Sequence, residues 1–217
     1  LKVNFGSNLL ESLTGEQFRL VVIVYTSALV PLVLIPFLHL RKRIPSWVLP
    51  VYIATFIVCA LGWEIWFNYG VAFGDSVVDR RAIALTQRIP LHLNWILNSL
   101  ADAGAICCGG LLLVWVANGR QVGVFRDWSW TVLWFLMLIF VAQNIIVELF
   151  LYHDQLSVDK SLSWAPLSPL GSWFNPVFFH FHERTVSLQS QIPWVIMTPL
   201  FYAWVLRCVR KKERPTA

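Results

Sequence analysis

The sequence predicts an all-α, polytopic membrane protein, a bundle of five transmembrane helices, and three observations carry that prediction. First, 57% of the 217 residues are hydrophobic and only 13% are charged, whereas soluble domains carry about 25% charge. Second, the apolar residues fall into five long runs, at residues 20–40, 47–69, 95–117, 128–152 and 193–209. A bilayer core about 30 Å thick asks for about 20 residues per helix. Third, the chain holds 12 Trp, 15 Phe and 5 Tyr, more than a soluble core of this length needs, and aromatic side chains favour the two membrane–water interfaces. The whole chain, 1–217, reads as one transmembrane helical domain.

Each run is continuous rather than alternating, which sets aside the strands of a membrane barrel, whose apolar residues alternate over about ten positions. The fifth run is the shortest, and its helix can begin as early as Leu188. Orientation follows from the basic residues of the short loops. One side gathers residues 41–43, Arg120, Arg126 and the run from Arg207 to Arg214, ten basic residues against Asp127 and Glu213. The other holds seven basic residues, among them Lys2, Arg19, Arg80, Arg81 and Arg184, against seven acidic ones that include Glu11 and Asp154. This predicts an N-terminus outside, a cytoplasmic C-terminus, and two long connections facing out.

The connection at 70–90 is polar and reads as a surface loop or short helix. The segment at 153–190 is long for a connection, and such segments tend to be lids or binding elements. Its prolines, Pro166 and Pro169, prevent a continuous helix, and residues 173–182 pack five aromatics and two histidines into ten positions. It is expected to be ordered over the outer mouth of the bundle, with Trp164, Trp173, Phe174, Phe178, Phe179 and Phe181 buried.

Cysteines 59, 107, 108 and 208 all fall in apolar stretches, with no CxxC and no zinc spacing; they read as small hydrophobes. No cofactor and no metal is expected: His180 and His182, followed by Glu183, could share a face of an extended segment, where alternate residues lie on one side, but no third fixed ligand accompanies the histidines. The net charge of +5 lies beside the spans, so nucleic acid is not an expected partner; membrane lipids are.

Chemistry is concentrated in three carboxylates inside the spans, Glu64, Asp102 and Glu148. Ionisable groups there are expensive and mark functional sites by default. Each has an amide four residues away on the same helical face: Asn68, Asn98 and Asn144 respectively, with Asn94 one turn beyond Asn98. All three reach similar depth in the outer half, where Gln143 and Gln191 join them and Trp63, Trp66, Trp95 and Trp194 share the level. Hydrocarbon offers these groups no partners, so they are expected to face one another or a shared polar pocket. Glu64 and Asp102 are the candidate catalytic acids. Trp63, Asn68, Asn98, Gln143, Glu148, Gln191 and Trp194 are the candidate ligand-binding residues. Carboxylates beside Trp faces suit a cation, and a carboxyl pair can also pass a proton to and from a substrate.

In this arrangement the chain resembles the EXPERA family, the emopamil-binding sterol isomerases, the sigma-two receptor and related lipid-handling membrane proteins. The resemblance spans the second to fifth runs. It rests on Glu64-Ile65-Trp66-Phe67, on Asp102 followed by Cys107 and Trp115, on Gln143, and on Gln191, Trp194 and Pro199. It implies acid–base movement of a double bond, with Glu64 and Asp102 as acid and base and Trp194 steadying the cation. The chain departs from the isomerases at Ala60, where they place a His. Two readings therefore compete: a pocket protein for a hydrophobic or amine-bearing small molecule of lipid, sterol or isoprenoid class, with or without isomerisation, and an accessory subunit of a larger membrane complex. An ion translocator would need a relay across the full thickness, and the cytoplasmic halves of the spans carry almost no ionisable residues.

Overall fold

The computed structural model describes residues 13–213; Lys2, Glu11 and Arg214, which the charge reading uses, lie outside the described residues. The chain is mostly helical. Helix α1 (Gly15–Leu40) is followed by α2 (Val48–Leu61) and α3 (Trp63–Tyr69), two short helices α4 (Val77–Arg80) and α5 (Ile83–Arg88), then α6 (Leu91–Ala101). A π-helical segment, Asp102–Cys108, joins α6 to α7 (Gly109–Ala117). Helix α8 (Trp130–Val147) ends in a second π-helical segment, Glu148–Tyr152. A hairpin of β1 (Val177–Phe181) and β2 (Arg184–Ser187) precedes α9 (Leu188–Glu213).

Among the described residues, four helical stretches are long and apolar enough to cross a membrane: Gly15–Leu40, Leu91–Ala117, Trp130–Tyr152 and Leu188–Lys211. The pair α2 and α3, bent by 44°, adds a fifth if it forms one span. The chain is thus a multi-pass membrane protein by length and composition of its helices. Many large apolar side chains face outward, among them Val33 on α1, Leu138 on α8 and Leu200 on α9, as expected of helices surrounded by lipid.

Local chemistry moves several boundaries away from the sequence reading. α1 starts at Gly15 rather than residue 20 because Thr14 and Gln17 form a capping box, Gln17 N donating to Thr14 Oγ1 at 3.2 Å and Thr14 N to Gln17 Oε1 at 3.1 Å, which satisfies two orphan donors. The second run breaks at Gly62, whose backbone adopts φ −91°, ψ −118°; a Cβ there would sit 2.7 Å from the Val58 carbonyl oxygen. The break leaves the Ala60 carbonyl to the Trp95 indole, which donates to it at 2.8 Å. α9 begins at Leu188, directly after β2, at the earlier of the two starts expected for the fifth run.

The helices alternate in direction, so the molecule has two ends. The basic end brings together Trp47 and Phe125, edge to face at 5.6 Å, and joins Arg210 to Asp127 at 3.1 Å. The opposite, loop end is closed by a cap built from both long connections. Asp75 N donates to the Ser163 carbonyl (2.8 Å), Leu167 N to Ala72 (2.9 Å), Ser157 N to Arg80 (2.9 Å) and Ala82 N to Gln155 (3.0 Å). Gly74 is required here, since a Cβ would lie 2.5 Å from the Trp164 carbonyl oxygen.

The connection at 70–90 proves to be more than a plain surface loop, because it buries two arginines. Arg80 is fully buried; it donates to the carbonyls of Asp75 (2.6 Å) and Phe67 (2.5 Å) and lies over the Phe67 ring at 4.6 Å. Its position at the end of α3 places a cation where helix carbonyls lack partners. Burial pushes the Arg80 and Arg81 guanidinium groups down, to about 9 and about 10, and both stay cationic at neutral pH.

The segment at 153–190 is packed against that cap, but its aromatics divide. Trp164 is buried against Phe67 and Tyr152, whereas Trp173 is 89% exposed and Phe174, Phe178, Phe179 and Phe181 are exposed too. The expectation of wholesale aromatic burial fails for a structural reason: residues 177–187 form a two-stranded hairpin, all five residues of β1 are exposed, and two strands alone cannot make a core. Asp154 anchors the hairpin and α1 together. Its buried carboxylate pairs with Arg184 at 2.7 Å and with Arg19, and the Thr185 backbone N–H donates to His153 Nε2 at 3.0 Å.

Asp154→Ala is expected to cost about 1 kcal/mol, toward the upper end for ion pairs whose basic partners remain partly exposed. A thiol-reactive dye reading the buried Cys59 and Cys107 during heating checks this, and amide exchange of Thr185 and Val186 should accelerate in the same variant.

Candidate functional site

Each of the three acids predicted inside the spans stands at a backbone irregularity. Glu64 occupies the first turn of α3, just past the Gly62 break. Asp102 opens the first π-helical segment and Glu148 opens the second. Such segments are rare and concentrate at functional sites. The first is held against α1 by a close approach: a Cβ on Gly104 would lie 2.3 Å from Pro31 Cβ.

Glu64 and Asp102 share one cavity of about 150 Å³ in the half of the bundle nearer the loop end. Asn98, Gln143 and Trp194, three further residues predicted for the site, also line it, together with Ser27 of α1, Asn94, Asn144 and Gln155. Asn68 stands behind Glu64 and donates to its Oε2 at 2.8 Å. The chain continues outward: Asn94 Nδ2 donates to Asn68 Oδ1 at 2.6 Å, and Arg81 donates to Asn94 Oδ1 at 3.0 Å. Arg81 also bonds the Ile89 carbonyl and Thr86 Oγ1, the latter at 3.1 Å. A buried guanidinium of the cap is thereby linked through two amides to the Glu64 carboxyl.

Trp63 lies outside the polar cavity but touches it through one bond, its indole N–H donating to Asp102 Oδ2 at 2.7 Å. Its ring packs on Trp194, centroids 5.3 Å apart. Beyond this pair runs an apolar groove of about 350 Å³ between α2, α8 and α9, lined by Val58, Cys59, Cys107, Phe140, Thr198 and Phe201 among others. Val58, Leu200 and Trp204 on its rim are exposed, so the groove opens sideways onto the surface of the bundle. The two spaces have Trp194 as a common wall.

Glu148 and Gln191 are placed elsewhere. Glu148 is fully buried; its Oε1 accepts from Ser187 N at 3.0 Å and Ser187 Oγ at 2.8 Å, and its Oε2 from Gln191 Nε2 at 3.0 Å. Asn144 Nδ2 completes the cluster, donating to Gln191 Oε1 at 3.1 Å and to the Ser190 carbonyl at 2.8 Å. Neither Glu148 nor Gln191 lines the cavity that holds the other two acids. Their bonds fasten the first turn of α9 to the end of α8, and a carboxylate at a helix N-terminus is favoured by the helix dipole.

Sequence reasoning passed over Ser27, Gln155 and Arg81. Ser27 had a readable signal, a polar residue well inside the apolar α1. Arg81 had none, since its role depends on how the loop folds back. Among the described residues no group of three or more His, Cys, Asp or Glu is placed to hold a metal. No family model, no characterised protein and no solved structure matches the chain.

Glu148→Ala should lower thermal stability by on the order of 1–3 kcal/mol, because buried Ser187 and Gln191 donors lose their acceptor, and should speed amide exchange of Ser187. Glu148→Gln, which keeps one oxygen for Ser187, should lose less. Equal losses would show that charge rather than acceptance matters there.

Proposed function

We propose that the protein is a five-span membrane bundle, α2 and α3 together forming the second span, that binds a small amphiphile with its polar group between Glu64 and Asp102 and its apolar body in the adjoining groove. The observation that carries this reading is the joint between the two spaces: Trp63 bonds Asp102 on one side and packs on Trp194 in the groove on the other. A molecule lying across that joint would meet carboxyls, Asn98 and Gln143 at one end and aromatic and aliphatic walls at the other. Sideways opening suits a ligand that arrives from the bilayer. The chemistry fits a lipid, sterol or isoprenoid, an amine-bearing one being favoured by the carboxylates and the Trp faces.

The resemblance to the EXPERA family supports one step further. With two carboxyls on one cavity, one can give a proton to an alkene carbon while the other removes a proton from the allylic position, so that the double bond moves and the proton count is unchanged. The Trp194 face would steady the intermediate cation. Recovery of deuterium in the ligand after incubation in heavy water would reveal this exchange.

The accessory-subunit reading keeps one observation of its own, the exposed aromatic strand β1. A partner protein seated there would co-purify in stoichiometric amount.

Orientation is proposed from charge: the basic end, carrying residues 41–43 and Arg207, Arg210 and Lys211, faces the cytoplasm, and the acid cavity lies in the outer half of the membrane. A cysteine introduced at Lys42 should then be labelled only from the cytoplasmic side; labelling from outside would reverse the assignment.

The ligand reading is checked with Glu64→Gln and Asp102→Asn, which keep an oxygen to accept from Asn68 and Trp63 respectively. Mass spectrometry of co-purified small molecules is expected to show the ligand lost by tenfold or more, as for about 1.4 kcal/mol or more of lost binding, at equal or higher thermal stability, since a neutral group relieves a buried charge. Variants that unfold readily yet retain the ligand would make the acids structural.

A further inference from the structure

At the basic end the bundle is not closed. α1 packs on α6 and on the π-helical segment but hardly meets α7, and the two helices part to leave a cleft of about 560 Å³. Its walls are apolar: Val30, Leu34 and Leu38 on α1 face Ala105, Leu112 and Trp115. Trp47 and Phe125 lie across its lower part. Thr26 and Ser27 mark its inner limit, and Arg43 lines its mouth, with Arg41 and Lys42 next to it in the α1–α2 loop.

We propose that this cleft holds one acyl chain of an anionic phospholipid, whose headgroup is bound by Arg43. Length supports a single chain from one leaflet: at 1.5 Å per residue, the lining from Thr26 to Leu38 extends roughly 18 Å along α1, a little over half of a bilayer core of about 30 Å. Charge supports the headgroup. Basic groups beside clefts between membrane helices suit anionic lipid heads, and the exposed Arg43 is at the end of the cleft where a headgroup would lie. The walls meet the chain with small residues on one side. Gly109 has only the Gly104 carbonyl oxygen, at 3.9 Å, near the place of a Cβ, and exposed Ala105 adds width. The cleft meets the acid cavity only at Ser27, which lines both, and the proposal does not rest on the ligand proposed there.

The experiment is native mass spectrometry of the full chain in detergent, equilibrated with equal amounts of phosphatidylglycerol and phosphatidylcholine of identical chains. The wild-type protein should retain one phosphatidylglycerol in preference to phosphatidylcholine by about fivefold, the size expected of one basic side chain at a charged lipid surface. Arg43→Gln should remove the preference and leave chain binding. Gly109→Leu should remove the adduct of either lipid, and Ala105→Leu, which fills the cleft from an exposed position, gives the same reading if the glycine variant fails to fold. Equal retention of the two lipids by the wild type, an adduct that survives both filled-cleft variants, or a dimer that forms in place of the lipid adduct would overturn the proposal.

Discussion

Hydrocarbon gives a polar group nothing to bond to, and that constraint organises this molecule. Its apolar helices are interrupted at Gly62, at Asp102–Cys108 and at Glu148–Tyr152, and each interruption carries an acid. An interrupted helix leaves backbone groups without their usual partners, so side chains are recruited, as the Trp95 indole is by the Ala60 carbonyl. A break surrounded by lipid would be intolerable; a break buried among polar side chains is tolerated and shapes a site. The backbone irregularities and the polar interior are two aspects of one solution.

The acids have divided between two tasks. Glu148 has four donors converging on it or on its partner Gln191, and its oxygens are spoken for by the start of α9. Glu64 accepts from the Asn68 and Asn98 amides and Asp102 from the Trp63 indole, and both acids face open volume. Acceptors with capacity left over, aimed into a space, are what a binding site needs and what a structural joint lacks. The same criterion separates the asparagines: Asn68 and Asn94 pass hydrogen bonds along a chain to Arg81, while Asn98 lines the cavity itself.

Much of this was legible in the sequence, and the illegible part has a physical pattern. Apolar length located the helices, because hydrophobic thickness depends on composition alone. The acid–amide spacing of four residues placed Glu64 beside Asn68 correctly, since both lie on one unbroken turn of α3. The same spacing was insufficient for Glu148, where what matters is Ser187, 39 residues away on another element. The hairpin at 177–187 was missed because its aromatics read as a buried cluster, whereas strand pairing, not burial, holds them. Arg80 and Arg81 read as surface charge; their burial follows from carbonyls that converge only after the loop has folded.

The clasp at Asp154 has a consequence for the order of assembly. Arg19 is made early and Asp154 very late, 135 positions on, and the cap needs Ser157 to reach Arg80 and Ser163 to reach Asp75. During synthesis the first helix can form and lean on α6, yet its end at the loop cap stays untethered until α8 has been made and the chain has turned back. Closing so long a loop is slow relative to local helix formation. The first segment to be inserted is therefore among the last to be locked, and a nascent chain stalled before residue 154 would hold a bundle whose lid and first helix are both still free.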